Sequence, residues 1–200
     1  ARIGTYVVED LLGEGGTSEV YLVERAGERF ALKILKEEHR RNTALQARLI
    51  NEAEALQRLD VDGVVQVFDA GDEAGRPFYV MERLRESLSV RLVRALPPAE
   101  AVRIIRKIAR ILSDLHARGV VHRDVKPSNL LFAADGSLRL ADFGHAKLRA
   151  DELPILPHST ETGAFVGTRE YAAPEQLLNA KHVDGLADVY SLGLILFEAL

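Results

Sequence analysis

The run Val121-His122-Arg123-Asp124-Val125-Lys126-Pro127-Ser128-Asn129 follows directly on Val120 and holds more polar groups than a buried strand would tolerate. Three of its side chains could share one task. Asp124 can accept a proton from a hydroxyl. Lys126 can neutralise a phosphoryl group. Asn129 can offer a carbonyl oxygen to a hard cation. Loops held on a rigid scaffold are where such chemistry usually sits. A charged surface loop could have the same composition, so the meaning of the run depends on its neighbours.

The neighbours supply further groups. Leu130-Leu131-Phe132 reads as a short strand, Ala133-Ala134-Asp135-Gly136 as a turn, and Ser137 to Ala141 as the returning strand. That hairpin delivers Asp142-Phe143-Gly144 close to the polar run. Asp124, Asn129 and Asp142 then converge, and oxygen ligands beside phosphates suit Mg²⁺ better than Zn²⁺ or Ca²⁺. Near the start, strands are expected at Tyr6 to Leu12, Val20 to Glu24 and Arg29 to Leu35. Between the first two lies Gly13-Glu14-Gly15-Gly16-Thr17-Ser18-Glu19-Val20, with Ser18 where G-x-G-x-x-G would place its third glycine. No helix follows the glycines and no Gly-Lys-Ser/Thr is present, so this is neither a P-loop nor a Rossmann turn. Glycines in a β-turn let backbone N–H groups approach phosphates closely, although a plain hairpin has the same pattern.

Lys33 alternates within Ala31-Leu32-Lys33-Ile34, where it reads equally as the solvent face of an edge strand. Leu45, Leu49, Ala53, Leu56 and Leu59 mark an amphipathic helix over about 42–59. Glu52 lies on it, and a Lys33–Glu52 pair between helix and strand would account for both residues. Val64 to Ala70 and Pro77 to Glu82 read as a hairpin, completing five strands and one helix. Glu86 to Ala95 is expected to be helical. A longer helix opens at Pro97-Pro98 and ends at Gly119. Its apolar stripe is Val102, Ile105, Ile108, Ala109, Leu112 and Leu115, and Arg103, Arg106, Lys107 and Arg110 form a solvated face. Residues 145–170 contain no expected helix or strand, and a loop of this length in a compact domain is usually functional or disordered. Ala172-Ala173-Pro174-Glu175 leads into a short helix, and a last apolar helix spans Asp184 to Leu200 with Asp188 near its start.

Composition narrows the class. The chain has 200 residues, 47% of them apolar, enough for a sizeable core. A net charge of −4 gives no electrostatic case for a nucleic-acid partner. With no cysteine there is neither a disulfide framework nor a thiolate zinc site, which fits a reducing compartment. No apolar run reaches the roughly 18–20 residues that span a bilayer. The chain opens at Ala1 without Met, which reads as processed or excised. It stops at Leu200 inside an apolar helical pattern with no cap, which reads as truncation.

In this order, the glycine turn, Ala31-Leu32-Lys33, Glu52, His122-Arg123-Asp124-x-Lys126-Pro127-x-Asn129, Asp142-Phe143-Gly144 and Ala173-Pro174-Glu175 resemble the motif set of bacterial serine/threonine protein kinases. The resemblance runs from about Thr5 to Leu200. It implies an α+β bilobal fold: an ATP-binding lobe over 1–83, with a five-stranded antiparallel sheet and one helix, and a mainly helical, incomplete catalytic lobe over 84–200. It implies ATP as phosphoryl donor, Mg²⁺ (with Mn²⁺ as an alternative) as metal, and serine or threonine hydroxyls of proteins as acceptors.

By that resemblance, Asp124 is the base, Lys126 steadies the γ-phosphate, and Lys33, oriented by Glu52, holds the α/β-phosphates. Asn129 and Asp142 hold the metal. ATP contacts fall to Leu12, Gly13, Glu14, Gly15, Gly16, Thr17, Ser18, Val20, Ala31, Met81, Glu82, Leu84 and Leu131. Arg123 marks a kinase switched by phosphates on its loop, with Thr160 and Thr162 as the acceptors, and Thr168 bonds near Asp124. Asp188 anchors the backbone of the polar run. The resemblance further implies a homodimer for autophosphorylation in trans, and a cytoplasmic location, or the cytoplasmic face of a membrane if a longer parent continues into a membrane helix. The competing reading is a truncated or inactive kinase-fold module that serves as a binding scaffold.

Overall fold

The computed structural model describes residues 1–148, 170–178 and 183–200. The chain forms two compact units, one of Ala1–Asp60 with Val65–Leu84, the other of Val61–Val64 with Arg85–Leu200.

In the first unit, β1 (Arg2–Ile3), β2 (Tyr6–Glu14), β3 (Ser18–Arg25), β4 (Glu28–Leu35), β5 (Val67–Glu73) and β6 (Arg76–Met81) make one sheet in the order β1-β2-β3-β4-β6-β5, all neighbours antiparallel. Five of these strands match the expected ones, and β1 is an added edge, pairing Ile3 with Tyr6 and Arg2 with Val7. Two residues are too short to leave a periodic signal. Alternation buries one face: Ile3, Tyr6, Val23, Leu32, Ile34, Phe78 and Val80 form its core. Fully burying a side chain the size of Leu32 or Ile34 contributes about 2 kcal/mol. Register shifts in β2 between Val8 and Asp10, and between Leu11 and Gly13, bend the strand as it reaches the glycine turn. Helix α1 (Thr43–Arg58) starts where Asn42 caps it, its side-chain oxygen accepting from Leu45 N at 3.2 Å. It turns Leu49, Glu52, Ala53, Ala55 and Leu56 inward.

In the second unit, β7 (Glu86–Ser87), β9 (Leu130–Phe132) and β10 (Leu138–Leu140) form a small sheet in the order β10-β9-β7, and β8 (Val120–Val121) pairs with β11 (Lys147–Leu148). The described helices are α2 (Leu88–Arg91), α3 (Pro98–Ala117), α4 (Pro174–Leu178) and α5 (Leu186–Ala199). None is long and apolar enough to cross a membrane.

Three expectations need correction. Within 145–170, where no strand is expected, Lys147 and Leu148 pair with Val121 and Val120 as β11, which at two residues is too short to leave a periodic signal. Glu86 to Ala95 is not one helix: Glu86 and Ser87 pair with Phe132 and Leu131, and α2 is a single turn. Arg91 donates to Glu86 Oε1 from Nε at 2.9 Å and Nη2 at 2.6 Å, and its guanidinium lies 3.5 Å from the Phe132 ring centroid. Strand pairing and this clamp override helix propensity. In α3 the buried stripe is Ala101, Ile104, Ile108, Ile111, Leu112 and Leu115, while Val102 and Ala109 are exposed. The buried face is set by where β8, β10 and α5 pack against the helix.

The segment Val61–Val64 is fastened to β10. Leu140 N donates to Gly63 O at 2.7 Å, and Val64 bridges Leu140 in parallel. Gly63 has φ +91°, and a Cβ there would sit 2.5 Å from Ile111 Cδ1. Gly136, at φ +80°, has nothing within 4 Å of such a Cβ. Gly63→Ala should therefore cost about 1–3 kcal/mol more than Gly136→Ala, the excess being the overpacking. Midpoints of urea unfolding for the two variants measure this difference, and equal midpoints would contradict it.

Candidate active site

Lys33, on β4, faces Tyr79 across β6 in the sheet register. From α1, Glu52 reaches both. Lys33 Nζ lies 2.9 Å from Glu52 Oε1 and 3.1 Å from Oε2, and Tyr79 OH donates to Oε1 at 3.0 Å. Glu52 is 2% exposed. A carboxylate so deep in the protein is tolerated only because an ammonium and a phenol satisfy it. The expected pair forms, and Tyr79 joins it. The sequence offered no sign of Tyr79, since its role depends on strand register.

The glycine turn is tied down from the segment after β4. Gly15 N donates to Ser18 O at 2.8 Å, and Lys36 N to Thr17 O at 2.9 Å. Lys36 Nζ sits 2.5 Å from Glu14 Oε1, which raises the Lys36 pKa, first through that hydrogen bond. His39 Nε2 lies 3.4 Å from Gly16 O. A Cβ on Gly13 or Gly16 would meet nothing within 4 Å, so the open side of the turn has room for a ligand. Leu12 is exposed, Val20, Met81, Glu82 and Leu84 are half-buried, and Ala31 is buried opposite Met81. Glu82 N donates to Gln66 O at 2.9 Å, so a ligand contact by the Glu82 backbone falls to its carbonyl.

In the second unit, Asp124 is 6% exposed. Its Oδ2 is 2.8 Å from Lys126 Nζ and accepts from Asn129 Nδ2 at 3.1 Å, and the same amide nitrogen donates to Asp124 O at 2.8 Å. With its nitrogen committed, Asn129 has a carbonyl oxygen for a cation. Ala141 N donates to Asn129 O at 2.9 Å, which brings the backbone of Asp142 beside Asn129. The donors are hard oxygens, as a small divalent cation requires. Among the described residues no group of three or more His, Cys, Asp or Glu could hold a metal, so phosphate and water oxygens would have to complete the shell. Leu131 is half-buried on β9.

Arg123 and Asp142 have φ of +66° and +62°. Such backbone costs about 1–3 kcal/mol per residue and persists only where its surroundings enforce it. For Arg123 the enforcer is Asp188, in the first turn of α5 and 1% exposed. Its Oδ2 accepts from His122 N at 2.9 Å and its Oδ1 from Arg123 N at 2.8 Å, while His116 Nε2 lies 2.8 Å from Oδ2. His122 turns inward, fully buried, edge-on to Phe143 with centroids 4.7 Å apart. Burial lowers the pKa of the Arg123 guanidinium, with Asp188 opposing. Its Nε is buried with no hydrogen-bond partner among the described residues. Thr160, Thr162 and Thr168 lie outside the described residues.

The chain segment after residue 170 is held to the same helix. Ser191 Oγ donates to Tyr171 O at 2.7 Å, and Tyr171 OH to Glu198 Oε2 at 2.6 Å. Burial, then Glu198, pushes the Tyr171 phenol up. Gln176 donates to Arg123 O at 2.8 Å. Neither Gln176 nor His116 stands out in the sequence.

A glycine turn, a buried Lys–Glu pair and an Asp-Lys-Asn loop beside Asp142 are the parts of a phosphoryl-transfer enzyme. The chain belongs to the protein kinase domain family, whose model matches residues 6–200. The family uses ATP and a divalent metal. The chain is 38% identical over 206 residues to serine/threonine-protein kinase PknD of Mycobacterium tuberculosis, covering 100% of this chain and 30% of that protein. It is 35% identical over 204 residues to serine/threonine-protein kinase PknB of Mycobacterium leprae, covering 98% and 32%. It is 37% identical over 202 residues to serine/threonine-protein kinase PknL of Mycobacterium tuberculosis, covering 98% and 49%. It thus spans between about a third and a half of the length of these curated relatives.

Asp188→Ala would leave two buried backbone N–H groups and the His116 imidazole without their acceptor. The expected loss is about 3–5 kcal/mol in urea unfolding. A loss below about 1 kcal/mol would show that water replaces the carboxylate.

Proposed function

We propose that this chain catalyses transfer of the γ-phosphoryl group of ATP to serine and threonine hydroxyls of proteins. The observation that carries the reading is the state of Asp124: a nearly buried carboxylate held by Lys126 and Asn129 within 3.1 Å. A carboxylate so fixed can orient a substrate hydroxyl and receive its proton. The hydroxyl oxygen forms a bond to the γ-phosphorus, the bond from that phosphorus to the β,γ-bridging oxygen breaks, and ADP leaves. Charge spreads over the phosphoryl oxygens in the transition state, so catalysis is mainly positioning and electrostatics. Lys126, close to Asp124, supplies positive charge to the transferring group.

Lys33 takes the α/β-phosphates, its ammonium aimed by Glu52 and Tyr79. The turn from Gly13 to Ser18 offers backbone N–H groups to the phosphates, with Leu12, Val20, Ala31 and Met81 of the first unit against adenine and the backbone of Glu82 and Leu84 beside its edge. Asn129 and Asp142 would hold Mg²⁺, which neutralises phosphate charge when bound. Thr168 favours hydroxyl substrates of the serine/threonine kind. Arg123 has a buried Nε without a hydrogen-bond partner among the described residues and a guanidinium whose charge is disfavoured by burial. A phosphate on Thr160 or Thr162 would relieve that cost. Such phosphorylation in trans requires two copies to meet, one acting as enzyme and one as substrate.

The test is incubation of the protein with Mg-ATP and a protein acceptor. Asp124→Asn and Lys33→Met should each lower phosphate incorporation by about 100-fold or more. Phosphoamino-acid analysis should return phosphoserine and phosphothreonine, and mass spectrometry should find phosphate at Thr160 or Thr162. Equal incorporation by the wild type and Asp124→Asn would refute the reading.

A further inference from the structure

Gln176 follows the Ala172-Ala173-Pro174-Glu175 segment, on the short helix α4. Its side chain is 3% exposed, yet both ends of the amide are partnered. Oε1 accepts from Ala173 N at 3.0 Å, and Nε2 donates to Arg123 O at 2.8 Å. The second bond joins residues 53 apart in sequence.

The accepting carbonyl belongs to the peptide unit that leads into Asp124. A peptide unit is planar and trans, so fixing its oxygen fixes its N–H on the opposite side. Here that N–H, of Asp124, points at His122 Nδ1, 3.3 Å away. The preceding N–H, of Arg123, is held by Asp188 at 2.8 Å. Between the two lies Arg123, at φ +66°, a conformation an L-residue leaves readily if released. Asp188 holds the N–H side of this strained residue. Gln176 holds its carbonyl side, and with it the plane from which the Asp124 Cα departs.

We propose that Gln176 is a positioning residue for Asp124: its amide sets the Arg123–Asp124 peptide plane and couples it to the backbone of Ala173. The proposal rests on the reading of Asp124 as the catalytic base. One side chain thus links the peptide unit leading into the base to the segment that opens α4. A residue that only filled the core would be replaceable by an apolar side chain of like size. A positioning residue would not be.

The test uses Gln176→Met, similar in length and without the amide, and Gln176→Asn, which keeps the amide but is one methylene too short to span both partners. Each should lower kcat by about 10- to 100-fold with the KM for ATP changed less than about 2-fold. Backbone hydrogen exchange, read without any turnover, should speed up at least about 10-fold over residues 122–126 while α3 and the central turns of α5 exchange as before. If the methionine variant fails to fold, the asparagine variant carries both measurements. Unchanged kcat and unchanged exchange in a folded variant would overturn the proposal, as would exchange faster throughout the second unit. A wild type without phosphoryl transfer would refute the assigned function, and the exchange measurement would still decide whether Gln176 holds the loop.

Discussion

One buried carboxylate, Asp188, organises the second unit. It sits in the first turn of α5 and accepts from the N–H groups of His122 and Arg123, with the His116 imidazole against it. Asp124, Lys126 and Asn129 lie on a short loop with a 3-10 turn at Pro127–Asn129, and neither strand ladder nor long helix holds it. Without Asp188 the two amides would be unsatisfied in a dry interior, and Arg123 would lose the contact that keeps its φ positive. A helix carries this anchor because helices resist displacement. The loop inherits rigidity from α5, and through Tyr171, Ser191 and Glu198 the segment beside α4 inherits it too.

The first unit meets a comparable problem with a different solution. Lys33 stands between the buried Leu32 and Ile34, and its own side chain is largely buried, where a lone ammonium would be expensive. The cost is offset by a carboxylate from α1 and a phenol from β6, both nearly buried. The helix is amphipathic in an ordinary way, except that one position of its inward face carries Glu52. Both units therefore place a buried acid on a helix and use it to aim a group elsewhere in the same unit, a strand ammonium in the first and a loop backbone in the second. This is consistent with chemistry that depends on holding charges still.

Much of this was legible in the chain. Apolar, β-branched runs between turn residues revealed β2 to β6, the spacing of Leu49, Ala53 and Leu56 revealed α1, and the polar run after Val120 announced itself by being too polar for its setting. Other features were not legible, each for a physical reason. Two-residue strands such as β1 and β7 carry no period. The segment from Glu86 to Ala95 has helical composition, but pairing with β9 and the Arg91–Glu86 clamp claim its start. The buried stripe of α3 is rotated from the expected one because period alone does not say where neighbouring elements will press. Thr160, Thr162 and Thr168 lie outside the described residues, so their roles rest on the sequence alone.

The polar run illustrates the division best. Its residue types and order by themselves determined the chemistry available: a carboxylate, an ammonium and an amide in one loop, with a second carboxylate arriving on a hairpin. That follows because these functional groups are properties of side chains, present before any folding. Which atoms face one another was decided by tertiary structure alone. Gln176, His116 and Tyr79 act through contacts that span 27 to 72 residues, set by strand register and by the packing of α3, α4 and α5. Sequence spacing has no access to such distances, because a glutamine that aims a catalytic peptide plane and one that faces solvent are the same residue until the chain closes around them.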